Sequence, residues 1–97
     1  MYARVVFTHV EAHKEEEAIQ LYQESVVPAA QQQQGFKGLL QLVDRTSGKG
    51  ISITLWETED QMLASETSGY YQEQIAKFRH YLAASPVRET YEVSVQI

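Results

Sequence analysis

The order of the periodic segments constrains the fold of this chain more than any other feature of its sequence. Four segments show the alternation or the short apolar runs that are typical of β-strands: residues 2–10, 39–44, 51–56 and 87–97. Helical periodicity, with apolar residues three or four positions apart, occupies the regions after the first and third of them. This order predicts a ferredoxin-like βαββαβ fold of the α+β class, an antiparallel four-stranded sheet with helices on one face. We expect residues 1–97 to form a single domain.

Local signals indicate where the helices begin and end. The first helical pattern runs from residue 14 to about residue 33, and Pro28 inside it predicts a kink. Thr58, with Gln61 three residues later, is the capping-box pattern that starts the second helical region. Residues 68–69, a Ser-Gly pair, interrupt that region, and Pro86 is expected to stop it.

The composition argues against several classes of function. The chain has 13 acidic and 8 basic residues, a net charge of −5, and no basic stripe that would suit nucleic acid or an anionic membrane. It has no cysteine, and its three histidines are dispersed, so we expect no zinc–thiolate or histidine metal site and no metal cofactor. Neither a membrane-spanning run nor a secretory pattern is visible, and we expect a soluble, cytoplasmic protein.

The predicted sheet carries apolar side chains on both of its faces. In the first strand, Val5 and Phe7 point to one side and Val6 and Val10 to the other. Two helices can cover only one face, and an apolar sheet face left in water promotes aggregation. The sequence therefore predicts a homodimer that forms through the open sheet face.

Two short motifs give the chain a family resemblance. Gly35-Phe36 follows the first helix, and Trp56-Glu57-Thr58 ends the third strand within LWETEDQM. With the Val-rich first strand and the hairpin, these motifs resemble the antibiotic biosynthesis monooxygenase (ABM) domain, a dimeric α/β barrel. The resemblance implies a cofactor-free oxygenase of aromatic phenols, in which the substrate's own carbanion reacts with oxygen.

The resemblance also places the positions that are implicated in known members. In the oxygenases these positions hold an Asn, a Trp and a Tyr. They correspond to Ser52, Trp56 and Met62 here, so only the Trp matches, and this chain has no asparagine. Those of the haem-degrading branch fall near Thr8, Ser65 and Ile75, and none of these side chains can replace an axial histidine. We therefore do not expect haem degradation and expect no cofactor.

Two residues are candidates for a catalytic role, and each has a structural alternative. Trp56 is the only tryptophan, at the end of a strand; it either fills the core or forms the wall of a pocket for a flat ligand. His9 ends the first strand beside Thr8, where an imidazole with a pKa of ~6.5 would suit a general base. The alternative for His9 is a partly exposed residue without catalytic role.

The remaining candidates are expected to line a pocket: Thr8, Ser52, Thr54 and Met62. In one hypothesis, His9 is the base, Thr8 and Ser52 donate hydrogen bonds to an oxyanion, and Trp56 stacks on the substrate. In the other, the chain is a non-catalytic dimeric barrel that binds a small hydrophobic ligand or serves a stress or interaction role. A cavity of ~300 Å³ or more bounded by Trp56, Thr8 and Ser52 would favour a small-molecule function.

Overall fold

The computed structural model describes all 97 residues. Four strands form one antiparallel sheet in the order β2-β3-β1-β4. The strands are β1 (Tyr2–His9), β2 (Phe36–Val43), β3 (Lys49–Trp56) and β4 (Val87–Glu92). The helices are α1 (Glu15–Leu21), α2 (Val27–Gln31), α3 (Glu59–Thr67) and α4 (Tyr70–Lys77). The predicted ferredoxin-like α+β fold is confirmed, with the helices over one face of the sheet.

The strand register divides the side chains of the sheet between two unlike faces. Residues that pair directly across antiparallel strands point to the same side of the sheet. The face away from the helices carries two rows that are almost entirely apolar: Leu42–Ile51–Phe7–Val87 and Leu40–Ile53–Val5–Glu89. The helix-facing side carries more polar rows: Gln41–Ser52–Val6–Arg88 and Leu39–Thr54–Arg4–Thr90. The open face keeps large apolar side chains in contact with solvent, and Leu40 is 57% exposed.

A π-helical turn joins the first two helices without a break. It spans Tyr22–Val26, and the N–H of Val27 donates to the carbonyl of Tyr22 five residues earlier. Pro28 follows in α2, where it has no N–H to donate to a carbonyl of the preceding turn. The helix was expected to be irregular at Pro28. It is irregular one turn earlier instead, where the π-helical turn accommodates one extra residue. Such π-bulges often occur at functional sites.

The second helical region is shorter than the sequence pattern predicts. Its start is confirmed, because the hydroxyl of Thr58 accepts a hydrogen bond of 3.1 Å from the N–H of Gln61. Gly69 separates α3 from α4 with a positive φ of 91°, a conformation that glycine adopts at little cost. The helix ends at Lys77, well before Pro86, because the following segment pairs with the end of β1, where the N–H of Ala83 donates to a β1 carbonyl.

The last strand is also shorter than predicted. Alternation continues to Ile97, but β4 ends at Glu92. The strand ends there because β4 pairs only with β1, and Glu92 lies opposite Tyr2, the first residue of β1. Residues 93–97 therefore have almost no strand to pair with, and Val95 is 80% exposed.

The core lies between the sheet and the helices, around two fully buried large side chains. These are Trp56 from the end of β3 and Met62 from α3. Ala30 of α2 and Val6 of β1 are buried with them. No helical segment of the chain combines the length and the apolar character that crossing a bilayer requires.

Candidate functional site

A cavity of about 90 Å³ lies between the helix-facing side of the sheet and the helices. Its apolar wall comes mainly from α4 and the turn after it, with Ile75, Phe78 and Leu82. The polar wall comes from alternate residues of the strands and from the tyrosines above them. The polar lining residues are Arg4, Thr8, Tyr22, Gln41, Ser52, Thr54, Tyr70, Tyr71 and Gln74. The cavity does not reach the ~300 Å³ that would favour a small-molecule function, the lower limit of typical ligand pockets, so a fused-ring ligand needs additional space outside it.

Arg4 is the only charged residue that lines this cavity. Its side chain is 3% exposed, and one guanidinium nitrogen lies 2.7 Å from the Ser65 hydroxyl and 3.2 Å from a Glu66 carboxylate oxygen. The guanidinium carbon lies 5.1 Å from the ring centroid of Trp56 and 4.8 Å from that of Tyr71. Burial lowers the pKa of Arg4, and the Glu66 carboxylate opposes that shift by stabilising the charged form. Arg4 thus supplies a desolvated positive charge at the end of the cavity near Trp56.

A short hydrogen bond joins two hydroxyl groups of the cavity wall. The Tyr22 hydroxyl and the Ser52 Oγ are 2.6 Å apart, which connects the π-helical turn to the centre of β3. Burial raises the pKa of the Tyr22 phenol, and the hydrogen bond with Ser52 partly offsets that effect. Burial likewise raises the pKa of Tyr70 to about 12. The phenols of Tyr22 and Tyr70 therefore stay protonated at neutral pH. When Tyr22 donates its proton to the Ser52 oxygen, the Ser52 hydroxyl is left to donate into the cavity, and Tyr70 can donate there directly.

Trp56 lies behind the cavity wall rather than in it. The indole N–H donates a hydrogen bond of 2.9 Å to the hydroxyl oxygen of Thr54, and Thr54 does line the cavity. Phe36 packs edge-on against the indole at a centroid distance of 5.9 Å. Because the Thr54 oxygen accepts from the indole, its own O–H is left to donate elsewhere. Trp56 is fully buried, and its hydrogen bond to Thr54 connects it to the cavity indirectly.

The structure brings together only some of the side chains that the sequence suggested. Thr8, Ser52 and Thr54 line the cavity. Met62 is fully buried in the core and is not in the cavity wall. His9 lies outside the cavity: strand alternation places it on the same side as Phe7, and its Nε2 is 2.8 Å from the carbonyl oxygen of Ser47.

Sequence reasoning missed the most polar parts of the wall. Arg4 and Gln41 come from strand positions that the sequence analysis did not single out, and Tyr22 and Gln74 come from helices. One signal was present for Arg4: it shares its strand face with Val6, and a charged residue within a covered face needs a partner. Gln41 is a second unusual group, because its side-chain Oε1 is buried and accepts no hydrogen bond.

The cavity contains no acidic side chain and no imidazole. Its titratable groups are Arg4 and three tyrosines. No group of three or more His, Asp or Glu side chains anywhere in the chain is arranged to hold a metal ion. The chemistry that the wall itself can provide is hydrogen bonding from hydroxyls and stabilisation of negative charge by Arg4.

Comparison with known proteins shows likeness in structure rather than in sequence. No family model matches the chain, and no curated protein matches it. Among solved structures, a monooxygenase encoded by ActVA-Orf6 of Streptomyces coelicolor, in complex with nanaomycin D, superimposes with a TM-score of 0.81 at 14% identity. The match covers 99% of this chain and 89% of that one.

Two further structures extend this likeness. SnoaB, a cofactor-independent oxygenase from Streptomyces nogalater, matches in a mutant form with a TM-score of 0.80 at 12% identity, over 99% of this chain and 95% of its own. MhuD, in a mutant form with two manganese protoporphyrin IX molecules per active site, matches with a TM-score of 0.79 at 16% identity, over 100% of this chain and 98% of its own. The resemblance drawn from the sequence motifs is thus confirmed at the level of structure: the chain has the fold of the antibiotic biosynthesis monooxygenase domain.

Proposed function

We propose that this protein is a cofactor-independent monooxygenase that acts on a small aromatic or quinol-type metabolite. The observation that carries the proposal is the composition of the cavity, in which aromatic and aliphatic side chains face three serine and threonine hydroxyls and one buried guanidinium. A flat phenolic substrate suits the apolar part, and its oxygen suits the polar part. The likeness in fold to an oxygenase named as cofactor-independent adds an argument by analogy for the same reaction type, while the site itself has to carry the function.

The reaction requires the substrate to become an electron-rich anion. When a phenol or an activated CH₂ group loses a proton, the negative charge spreads onto the substrate's oxygen, where Arg4 and the hydroxyls of Ser52 and Thr54 can stabilise it. The anion then passes an electron to O₂, and the two radicals combine at carbon to give a peroxide. Loss of water from the peroxide leaves a carbonyl, so CH₂ and O₂ become C=O and H₂O. One oxygen atom enters the product and the other leaves as water.

Each polar residue has a distinct part in this proposal. Ser52, held by Tyr22 at 2.6 Å, and Thr54, held by the indole of Trp56 at 2.9 Å, are fixed hydroxyl donors. Thr8 is a third hydroxyl in the wall, near the β2–β3 turn. His9 lies outside the cavity, so in this proposal the substrate proton passes to solvent or to a buffer base as the substrate binds next to Arg4.

A second candidate function is favoured by two specific observations. The cavity measures only about 90 Å³, and it has no carboxylate or imidazole to act as a general base. The missing base fits a non-catalytic dimeric barrel that binds a small hydrophobic ligand, and the small volume fits one with a stress or interaction role. The two functions differ in one measurable property, the consumption of oxygen.

Oxygen uptake in a closed cell with a panel of anthrones and hydroquinones tests the proposal. We expect the chain to accelerate uptake and carbonyl formation in air, and to accelerate neither under argon. The Ser52→Ala variant, which removes a donor and orphans the Tyr22 hydroxyl, should lower the rate by about 10-fold or more. His9→Ala is the matched control and should leave the rate unchanged; a large loss would restore His9 as the base. Ligand binding without oxygen uptake would support the non-catalytic function instead.

The homodimer also belongs to this proposal, because the uncovered sheet face is too apolar for a stable monomer. Phe7, Leu40 and Leu42 lie on that face and remain exposed. A second copy that packs face to face buries them. Light scattering at micromolar concentration should give twice the chain mass of 11.1 kDa. Leu40→Lys should shift the mass to that of the monomer, whereas Lys37→Gln, which removes only an exposed ion pair with Glu57 at the start of the same strand, should not.

A further inference from the structure

An open groove of about 680 Å³ lies beside the cavity, between α4 and the segment that leads to β4. Three side chains, Tyr71, Ile75 and Leu82, line both the groove and the cavity. A molecule seated in the groove would contact the same aromatic and aliphatic surface that bounds the cavity. The groove also offers the space that a fused-ring ligand lacks inside the cavity.

The groove has a local excess of positive charge. Arg79 and Arg88 are in its wall, and no carboxylate is. Arg88 shares the Glu66 carboxylate with Arg4, at distances of 3.5 and 3.2 Å, while Arg79 forms none of the chain's ion pairs. Three guanidinium groups are therefore balanced by one carboxylate, in a chain whose net charge is −5. This charge has the sign opposite to that of the molecule as a whole.

Neighbouring groups do not cancel this charge and add further donors. Glu73 of α4 and Glu89 of β4 are outside the wall, and register places Glu89 on the other face of the sheet. The N–H groups of Ala84 and Ser85, two residues in the wall, make no hydrogen bond within the protein. Unpaired backbone N–H groups beside guanidinium groups are a common setting for binding an anion.

We propose that this groove binds the carboxylate of an aromatic carboxylic acid, with Arg79 as the main cation. The planar guanidinium group matches a carboxylate with two parallel hydrogen bonds. The rings of the ligand then lie along Tyr71, Ile75 and Leu82 and reach towards the cavity. The proposal deepens the proposed function, on which it rests for the reaction that follows, by naming the substrate class as anionic aromatic molecules.

A matched pair of probes tests the inference: anthraquinone-2-carboxylate and the neutral anthraquinone-2-carboxamide, titrated calorimetrically into the full chain at low salt. We expect the carboxylate to bind about three- to fivefold more tightly than the amide, the effect of a partly exposed ion pair. Arg79→Gln should remove the preference and leave the amide affinity unchanged. Arg45→Gln is the control, because Arg45 pairs with Glu16 and lies in the β2–β3 turn, outside the groove.

Each outcome of the titration decides the inference separately from the oxygenase activity. Equal affinities for the two probes, a preference that survives Arg79→Gln, or no binding of either probe would overturn it. A preference for the carboxylate without oxygen uptake supports the groove and contradicts the oxygenase. Oxygen uptake with neutral substrates, without a preference for the carboxylate probe, would support the oxygenase and contradict the groove. Thermal melts of both variants show that the fold is intact, which is expected because Arg79 is exposed and unpaired.

Discussion

Replacing Arg4 with methionine is the most informative perturbation of this fold. Methionine keeps much of the side-chain length and apolar contact but removes the positive charge. The change takes away the partner of Glu66 at 3.2 Å and of Ser65 at 2.7 Å. It leaves Glu66, whose side chain is only 12% exposed, with Arg88 at 3.5 Å as its single cation.

The magnitude follows from the burial of the pair. Removing one partner of a buried ion pair costs about 3–5 kcal/mol, because the other charge is left uncompensated. Arg88 still provides part of the compensation, so we expect a loss near the lower limit, about 3 kcal/mol. For a domain of this size, that loss lowers Tm by about 12–24 °C. It is also a large share of the ~5–15 kcal/mol by which such domains are stable.

A double-mutant cycle distinguishes this reasoning from a simple packing effect. Glu66→Gln and the double variant with Arg4→Met are measured beside the single variant by urea unfolding. We expect the double variant to be more stable than the sum of the single losses predicts, by about 1–3 kcal/mol. Additive losses would show that Arg4 does not stabilise the fold through the Glu66 carboxylate and would refute the charge argument.

Four further substitutions concern stability. Trp56→Phe should cost about 2–3 kcal/mol in urea unfolding, because it leaves a void and removes the indole hydrogen bond. The pKa of Tyr70 is about 12 in the folded chain, against ~10 for an unfolded tyrosine. The free energy of unfolding should therefore fall as the pH rises through that interval. This fall should be smaller in the Tyr70→Phe variant. Gly69→Ala should cost about 1–2 kcal/mol of left-handed backbone strain. Gly35→Ala should cost clearly more in thermal melts, because its Cβ would also clash with Gln61.

The order of the elements was predictable because strand and helix periodicities are local properties of the sequence. Their ends were not, since the last strand and the last helix end for tertiary reasons. The strand ends where its neighbour in β1 begins, and the helix ends where the chain turns to pair with the end of β1. No local signal at Glu92 or Lys77 carries that information.

The cavity was only partly predictable because the sequence does not say which face of the sheet the helices cover. Both faces of β1 carry apolar residues, so alternation alone did not show which face the helices cover, and both His9 and Thr8 were expected at the site. Once the helices are placed, Thr8 lines the cavity and His9 lies on the opposite face. Arg4 was missed for a related reason: its buried position depends on Glu66 and Ser65, about sixty residues away in sequence.

The π-helical turn at Tyr22–Val26 has a consequence for how this chain can vary. Deleting one residue there would restore regular α-helical bonding, but each residue of an α-helix advances the side chains by about 100°. The side chains before the deletion would rotate about the helix axis relative to those after it. Tyr22 could then not stay beside Ser52 while Ala30 stays in the core. Related chains that keep a hydroxyl pair at this place should therefore keep the length of this segment, even where few of its amino acids are shared.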